Sequence, residues 1–328
     1  MKVLVQGAGV AGLTVAHELS RRGASVCVSD PRRDLTATAS WFAGGMLAPW
    51  CERESAERMV LELGTGAAEW WESVLPGHVT RAGTLVVAPA RDRAELARFA
   101  ARTTGFVELD AAAIAALEPD LGGRFRHGLY FAGEAHLDPR AALLALHDKL
   151  EAMGVRFENH KPDEASFARV VDCTGMARAG TDPQLRGVRG EMLILRTPDI
   201  TLSRPVRLLH PRFPLYVVPR SDHHFMVGAT MIESHSARPV TARSMMELLN
   251  AAYSLHPAFA EAEIIEAGVG VRPAYADNLP RVDKQANTIS INGLHRHGFL
   301  LAPAMARQAA DLVLEHAEAK ELLHETHH

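Results

Sequence analysis

The chain has 328 residues, of which 47% are hydrophobic and 23% charged. That balance excludes a mostly disordered protein, and the length is enough to bury a sizeable core in one large domain or two intertwined ones. Lys plus Arg (35) nearly cancels Asp plus Glu (39), leaving a formal net charge of −4 and no electrostatic footprint for nucleic acid.

In chain order, residues 2–6 read as a short apolar strand that runs into Gly7-Ala8-Gly9-Val10-Ala11-Gly12. Residues 13–22 have helical periodicity, stopped by Gly23, and 24–29 form a second strand closed by Asp30. This strand, helix, strand unit implies a parallel pair with a right-handed crossover. Further on, 84–88 is a strand, 91–102 a helix of mixed charge, and 110–117 an Ala-rich helix that stops before Pro119. An amphipathic helix is expected over 139–153 with Pro139 in its first turn, then strands over 155–158 and 170–173. Runs 187–196, 206–210, 215–219 and 224–230, separated by Pro, Arg and Asp clusters, read as an antiparallel meander. A helix over 241–252, strands over 264–272 and 289–292, and a terminal helix over 303–323 complete the chain. The class is therefore α/β (α+β overall), with parallel α/β at both chain ends and a β-rich insertion between them.

Cys27, Cys51 and Cys173 lack metal-ligand spacing and are too few for a disulfide framework, so a reducing, cytoplasmic setting is expected. The first residues lack the apolar segment of a signal peptide, and no run of 18 apolar residues suggests a membrane span. The ending His324-Glu325-Thr326-His327-His328 reads as a solvated tail, and no metal site is expected.

The glycine loop carries the first chemical signal. Gly7 suits a tight turn, Gly9 lets backbone approach a pyrophosphate, and Gly12 permits close helix packing. The helix start at Val10 and Ala11 would present free amides to the phosphates, and Asp30 stands where a ribose-binding acid belongs. The loop alone does not separate FAD from a nicotinamide dinucleotide. A glycine motif that serves helix packing, with Asp30 as a turn residue, is the alternative. Beyond it, a small-residue stretch ending in Gly44-Gly45 fits backbone lying against a flat ring, or a flexible loop.

Five ordered segments resemble the glycine oxidases of the D-amino acid oxidase superfamily, which are FAD-dependent amine oxidases. They are the glycine loop; Ser40 through Ala43-Gly44-Gly45-Met46-Leu47-Ala48-Pro49; Leu215-Tyr216-Val217-Val218-Pro219-Arg220 with Val227-Gly228-Ala229-Thr230-Met231; Gly268-Val269-Gly270-Val271-Arg272-Pro273 with Asp277 and Pro280; and Leu294-His295-Arg296-His297-Gly298-Phe299-Leu300-Leu301-Ala302-Pro303. They span essentially the whole chain, and the nearest likeness is to the glycine oxidases of thiamine biosynthesis.

The resemblance implies a D-amino acid oxidase fold. An FAD-binding, Rossmann-like domain (1–45, 135–185, 264–328) would interleave with a substrate domain on an antiparallel sheet (46–134, 186–263). It implies non-covalent FAD held by Gly7, Gly9, Val10, Ala11, Gly12, Asp30, Ser40, Ala43, Gly44, Gly45, Met46, Thr174, Gly175, Arg272, and the segment His295, Arg296, His297, Gly298, Phe299 and Leu300. It implies hydride transfer from the substrate Cα to the flavin, with a neutral amine and no strong side-chain base. Arg272 would clamp the carboxylate through its bidentate fork, helped by Tyr216, with Arg296 a second positive group and Met46 and Met231 as pocket walls. A small amino acid and molecular oxygen are the implied partners, with an imine and hydrogen peroxide as products. Homo-oligomers are common in the family, whereas nucleic acid and membrane are not expected partners. A broader D-amino acid oxidase or dehydrogenase, or an electron-relay flavoprotein, is the alternative function. The chain departs from the family between Glu158 and Val170, where it is short and offers Lys161 to the adenine side, and at Pro214, where a glycine oxidase can carry a histidine.

Overall fold

The computed structural model describes the backbone of residues 1–32, 34–210 and 215–325, and side chains through residue 315. Pro214 and the terminal His327 and His328 lie outside the described residues.

Two large sheets organise the molecule. The first has six strands in the order Arg281–Gln285, Thr288–Asn292, Arg169–Asp172, Lys2–Gln6, Ser25–Ser29 and Arg156–Glu158. All neighbours are parallel except the first pair, which is an antiparallel hairpin. Val3, Leu4 and Val5 are completely buried: Val3 and Val5 pack into the core with the helices, while Leu4, on the opposite face, packs with Cys27, Val170 and Phe167. The helices are Val10–Arg21, Pro139–Ala152 and Gly298–Glu325.

The first helix begins at Val10, three residues before its apolar periodicity suggests, since the Gly7 turn already delivers the chain in position. Gly7 has φ +96°, and a Cβ on Gly12 would stand 1.8 Å from the Gly7 carbonyl oxygen. Only glycine therefore lets strand and helix pack this closely. Gly23, at φ +86°, ends the helix as expected.

The second sheet has nine strands. Its main path runs Ile232–Glu233, Arg186–Arg196, His224–Gly228, Leu215–Pro219, Val206–Leu208, Thr84–Val87, His127–Phe131 and Val107–Asp110. Glu263–Ala274 pairs along the whole of Arg186–Arg196. The expected antiparallel meander is present in part. The first run pairs with His224–Gly228, not with the next strand in sequence, and Val206–Leu208 lies parallel to Thr84–Val87. The buried carboxylate of Glu118 explains the detour. It accepts from the Ser203 amide and from Arg204 Nε at 2.6 Å, which docks the incoming chain beside Thr84–Val87. A small three-stranded sheet of Met46–Leu47, Ala135–Leu137 and Val79–Thr80 lies between the two large ones in the chain's path.

The terminal helix starts at Gly298, five residues before the expected position near Pro303. Proline inside a helix leaves the carbonyl four residues earlier without its donor. Here that carbonyl, of Phe299, accepts from the indole N–H of the fully buried Trp71 at 2.8 Å, so the helix runs through. Among the described residues no helix is long and apolar enough to cross a membrane. Cys27, Cys51 and Cys173 are free and buried.

Candidate active site

The parallel strands Lys2–Gln6, Ser25–Ser29 and Arg169–Asp172 end at one edge, and there the sequence places Gly7, Asp30 and Thr174-Gly175. Ligands of open parallel sheets bind at such carboxyl edges. The Ala8 amide donates to Asp30 Oδ2 at 2.8 Å, tying the glycine turn to the acidic residue. Arg32, which sequence reasoning passed over, grips both Asp30 oxygens, at 2.8 Å from Nε and 2.6 Å from Nη2. Burial pushes the Asp30 carboxyl up, but Arg32 and the Ala8 and Arg32 amides outweigh it and hold the group below its ordinary range. Ser40 Oγ accepts from the Val10 amide at 3.0 Å. Thr174 is held by Asp172, and Gly175 takes φ +61°.

These features fit the diphosphate end of a dinucleotide. A Cβ on Gly9 would meet only the Ser40 hydroxyl, at 3.3 Å, so the chain itself does not demand glycine there. The amides of Ala11 and Gly12 are free of intrahelical partners by their place in the first turn. Lys161 is tied to this edge through Glu164, whose carboxylate accepts from Gln6 Nε2 at 2.9 Å. The lysine itself is exposed and paired with Glu164 at 3.0 Å.

A second cluster surrounds a cavity of about 240 Å³. It brings together Ala43, Gly44, Gly45 and Met46 from one segment, Tyr216, Met231 and Arg272 from the nine-stranded sheet, and the Arg296-to-Leu300 segment at the start of the last helix. Of the expected site residues, Gly7, Gly9, Val10, Ala11, Gly12, Asp30, Ser40, Thr174, Gly175 and His295 lie outside this cavity lining. Met231 is largely exposed at its mouth. The two regions meet at the helix starts: a Cβ on Gly298 would lie 3.3 Å from Val10 Cγ1.

Arg272 is seated by absences. A Cβ on Gly190, across the ladder, would stand 2.2 Å from its Nη2, so glycine there opens the space that the guanidinium fills. Nη1 donates to the Thr230 carbonyl at 3.1 Å. Among the described residues no carboxylate pairs with Arg272. Burial lowers its pKa, the neighbouring Tyr216 opposes that, and the like charge of Arg296 adds to it. Tyr216 packs equally tightly, since a Cβ on Gly44 would be 2.8 Å from its ring. Arg220 Nη2 donates to the Gly44 carbonyl at 2.8 Å and fixes that segment from behind.

Sequence reasoning missed Glu52 and Arg207. Glu52 closes the short helix Pro49–Glu52 and is 6% exposed. Its Oε1 pairs with Arg207 Nη2, while Oε2 lies 2.8 Å from Arg296 Nη2 and 2.8 Å from His297 Nε2. Burial would raise its pKa, but Arg296, Arg207 and His297 together hold it well below the usual carboxylate range. Nothing local marks Glu52. An arginine at the middle of an otherwise apolar Val206–Leu208 strand was the available signal for Arg207. Behind it, the buried Glu134 accepts from the Cys51 amide at 2.7 Å and anchors the same short helix.

At the start of the last helix the amides of Gly298, Phe299 and Leu300 have no intrahelical acceptor, and His295 Nδ1 and His297 Nδ1 are buried without a partner among the described residues. Burial pushes the His295 imidazole down to about 3, so it is neutral at physiological pH. Free amides and the unpartnered His297 nitrogen at the cavity wall fit a polar, flat heterocycle such as an isoalloxazine.

Comparison with known proteins agrees with this geometry. A family model described as "DAO: FAD dependent oxidoreductase" matches residues 2–312. A Rhizobium etli protein provisionally named thiamine biosynthesis oxidoreductase ThiO is 61% identical over 316 residues, covering 96% of this chain and 97% of that one. A glycine oxidase of Pseudomonas aeruginosa is 25% identical, covering 95% of this chain and 94% of its own. Among solved structures, the glycine oxidase of Geobacillus kaustophilus superposes with a TM-score of 0.80 at 22% identity, over 95% of this chain and 94% of that one, which shows a shared fold.

Proposed function

The chain belongs to the family of FAD dependent oxidoreductases, and from that premise we propose that it oxidises glycine, or another small amino acid, at the Cα–N bond. Amino acid, oxygen and water give keto acid, ammonia and hydrogen peroxide; for glycine the product is glyoxylate, reached by hydrolysis of the imine. FAD, when bound, supplies the two-electron acceptor for the hydride leaving Cα. Gly7 to Gly12, Asp30 and the amides of Gly298 to Leu300 would hold it.

The observation that carries the reading is the guanidinium of Arg272, which has no carboxylate partner among the described residues, with Tyr216 beside it in the cavity. An arginine kept this way is ready to take a substrate carboxylate by two parallel hydrogen bonds. Arg207, Arg272 and Arg296 line the cavity against the inner carboxylate of Glu52. That excess of positive charge disfavours an ammonium group and favours the neutral amine that loss of hydride requires. Met46, Leu215 and the Tyr216 ring wall the space and limit water. The name of the Rhizobium etli relative supports a place in thiamine biosynthesis, where the imine of glycine would feed thiazole formation. Free, buried cysteines support a cytoplasmic setting.

The test is anaerobic addition of glycine to the purified yellow protein, followed by air. Bleaching and then peroxide is the expected result. Bleaching without peroxide would assign the electrons to another acceptor. An unbleached flavin with every small amino acid tried would overturn the reading.

A further inference from the structure

Glu52 lies at the wall of the cavity and is the acidic group that decides how many of its guanidiniums are available. Its two oxygens are used up by Arg207, Arg296 and His297. Arg296 is further held by Ser55 Oγ at 2.6 Å. Glu54, at the same cavity, pairs outward with Arg102 at 3.4 Å. Arg272 is left as the lining guanidinium with no carboxylate partner among the described residues.

We propose that Glu52 is a specificity-determining charge filter: by pairing with Arg207 and Arg296 it offsets part of their positive charge, leaves Arg272 as the preferred carboxylate site, and disfavours amino acids that carry a second acidic group. The inference rests on the reading of Arg272 as carboxylate clamp. Its physical basis is simple. In a cavity of about 240 Å³ a second carboxylate has nowhere to lie far from Glu52, and two like charges a few ångströms apart in a weakly polar site repel strongly. Removal of the Glu52 charge removes that repulsion. Arg207 and Arg296 then face the cavity uncompensated and attract the group that was repelled.

The experiment is titration calorimetry on the FAD-loaded protein at neutral pH with acetate and with malonate, which differ by one carboxylate and contain no oxidisable amine. The native protein should bind malonate at least ~10-fold more weakly than acetate. Glu52→Gln should invert the order, with malonate at least ~10-fold tighter than acetate. Equal or tighter malonate binding by the native protein overturns the filter, and that arm decides the matter even where Glu52→Gln fails to fold. A folded Glu52→Gln protein with the native preference overturns it as well. Arg272→Ala, titrated with acetate in parallel, separates the two readings. Undiminished acetate binding there overturns the clamp, whereas a lost acetate signal beside absent discrimination in the native protein overturns the filter alone.

Discussion

The indole N–H of Trp71 donates to the carbonyl of Phe299 at 2.8 Å, four residues before Pro303, and so completes the helix whose first turn faces the cavity. The two side chains also pack, with ring centroids 5.5 Å apart. Trp71 thereby joins the core of the six-stranded sheet and its helices to the start of the last helix.

Trp71→Phe keeps most of the aromatic bulk but leaves that buried carbonyl without a donor. Unfolding in urea should show a loss of about 1–3 kcal/mol, the cost of an unsatisfied buried acceptor. An unchanged midpoint would mean that another group satisfies the carbonyl.

Arg272→Ala removes the unpaired guanidinium and should lower kcat/KM for glycine by roughly 30- to 3,000-fold, the equivalent of about 2–5 kcal/mol for a lost charge-assisted pair. Arg272→Lys should recover only part, because an ammonium lacks the planar fork. Steady-state peroxide assays check both, and flavin absorbance should show that each variant still holds FAD.

The glycines of the first loop should separate by cause. A Cβ on Gly12 would be 1.8 Å from the Gly7 carbonyl, so Gly12→Ala should destabilise the fold itself, seen as a lower melting temperature of the FAD-free protein. Gly9 has only the Ser40 hydroxyl nearby, at 3.3 Å. Gly9→Val should therefore fold but purify colourless. A yellow Gly9→Val protein would remove the loop from the cofactor site.

Stability should fall in mild acid. Burial pushes the imidazoles of His17 and His136 down to about 4, and that of His295 to about 3. A base with a depressed folded pKa stays neutral while the unfolded chain takes up protons, so stability is full above about 6.5 and declines as pH drops toward the folded values. Each such histidine contributes a slope of at most about 1.4 kcal/mol per pH unit. Urea midpoints between neutral pH and the folded values should follow this decline, and His136→Gln should flatten it.

Much of the fold was readable from local pattern. The apolar run before Gly7, the periodicity of the first helix, Gly23 as its stop and Asp30 after the second strand each depend on neighbours a few residues away, and the structure places them accordingly. The family segments likewise brought Tyr216, Arg272 and Arg296 to one cavity. The order of the strands in the larger sheet was not legible, because Glu118 docks the chain from far upstream.

What the sequence by itself determined is the backbone grammar: where glycine must turn, where strand and helix alternate, and which ordered segments mark a dinucleotide enzyme. Tertiary structure alone decided which charges meet. Glu52 is 155 residues from Arg207 and 245 from His297, and neither spacing carries a periodic signal. Ion pairing acts over a few ångströms in space and is blind to separation along the chain, so the partner of each guanidinium exists only once the sheets have packed.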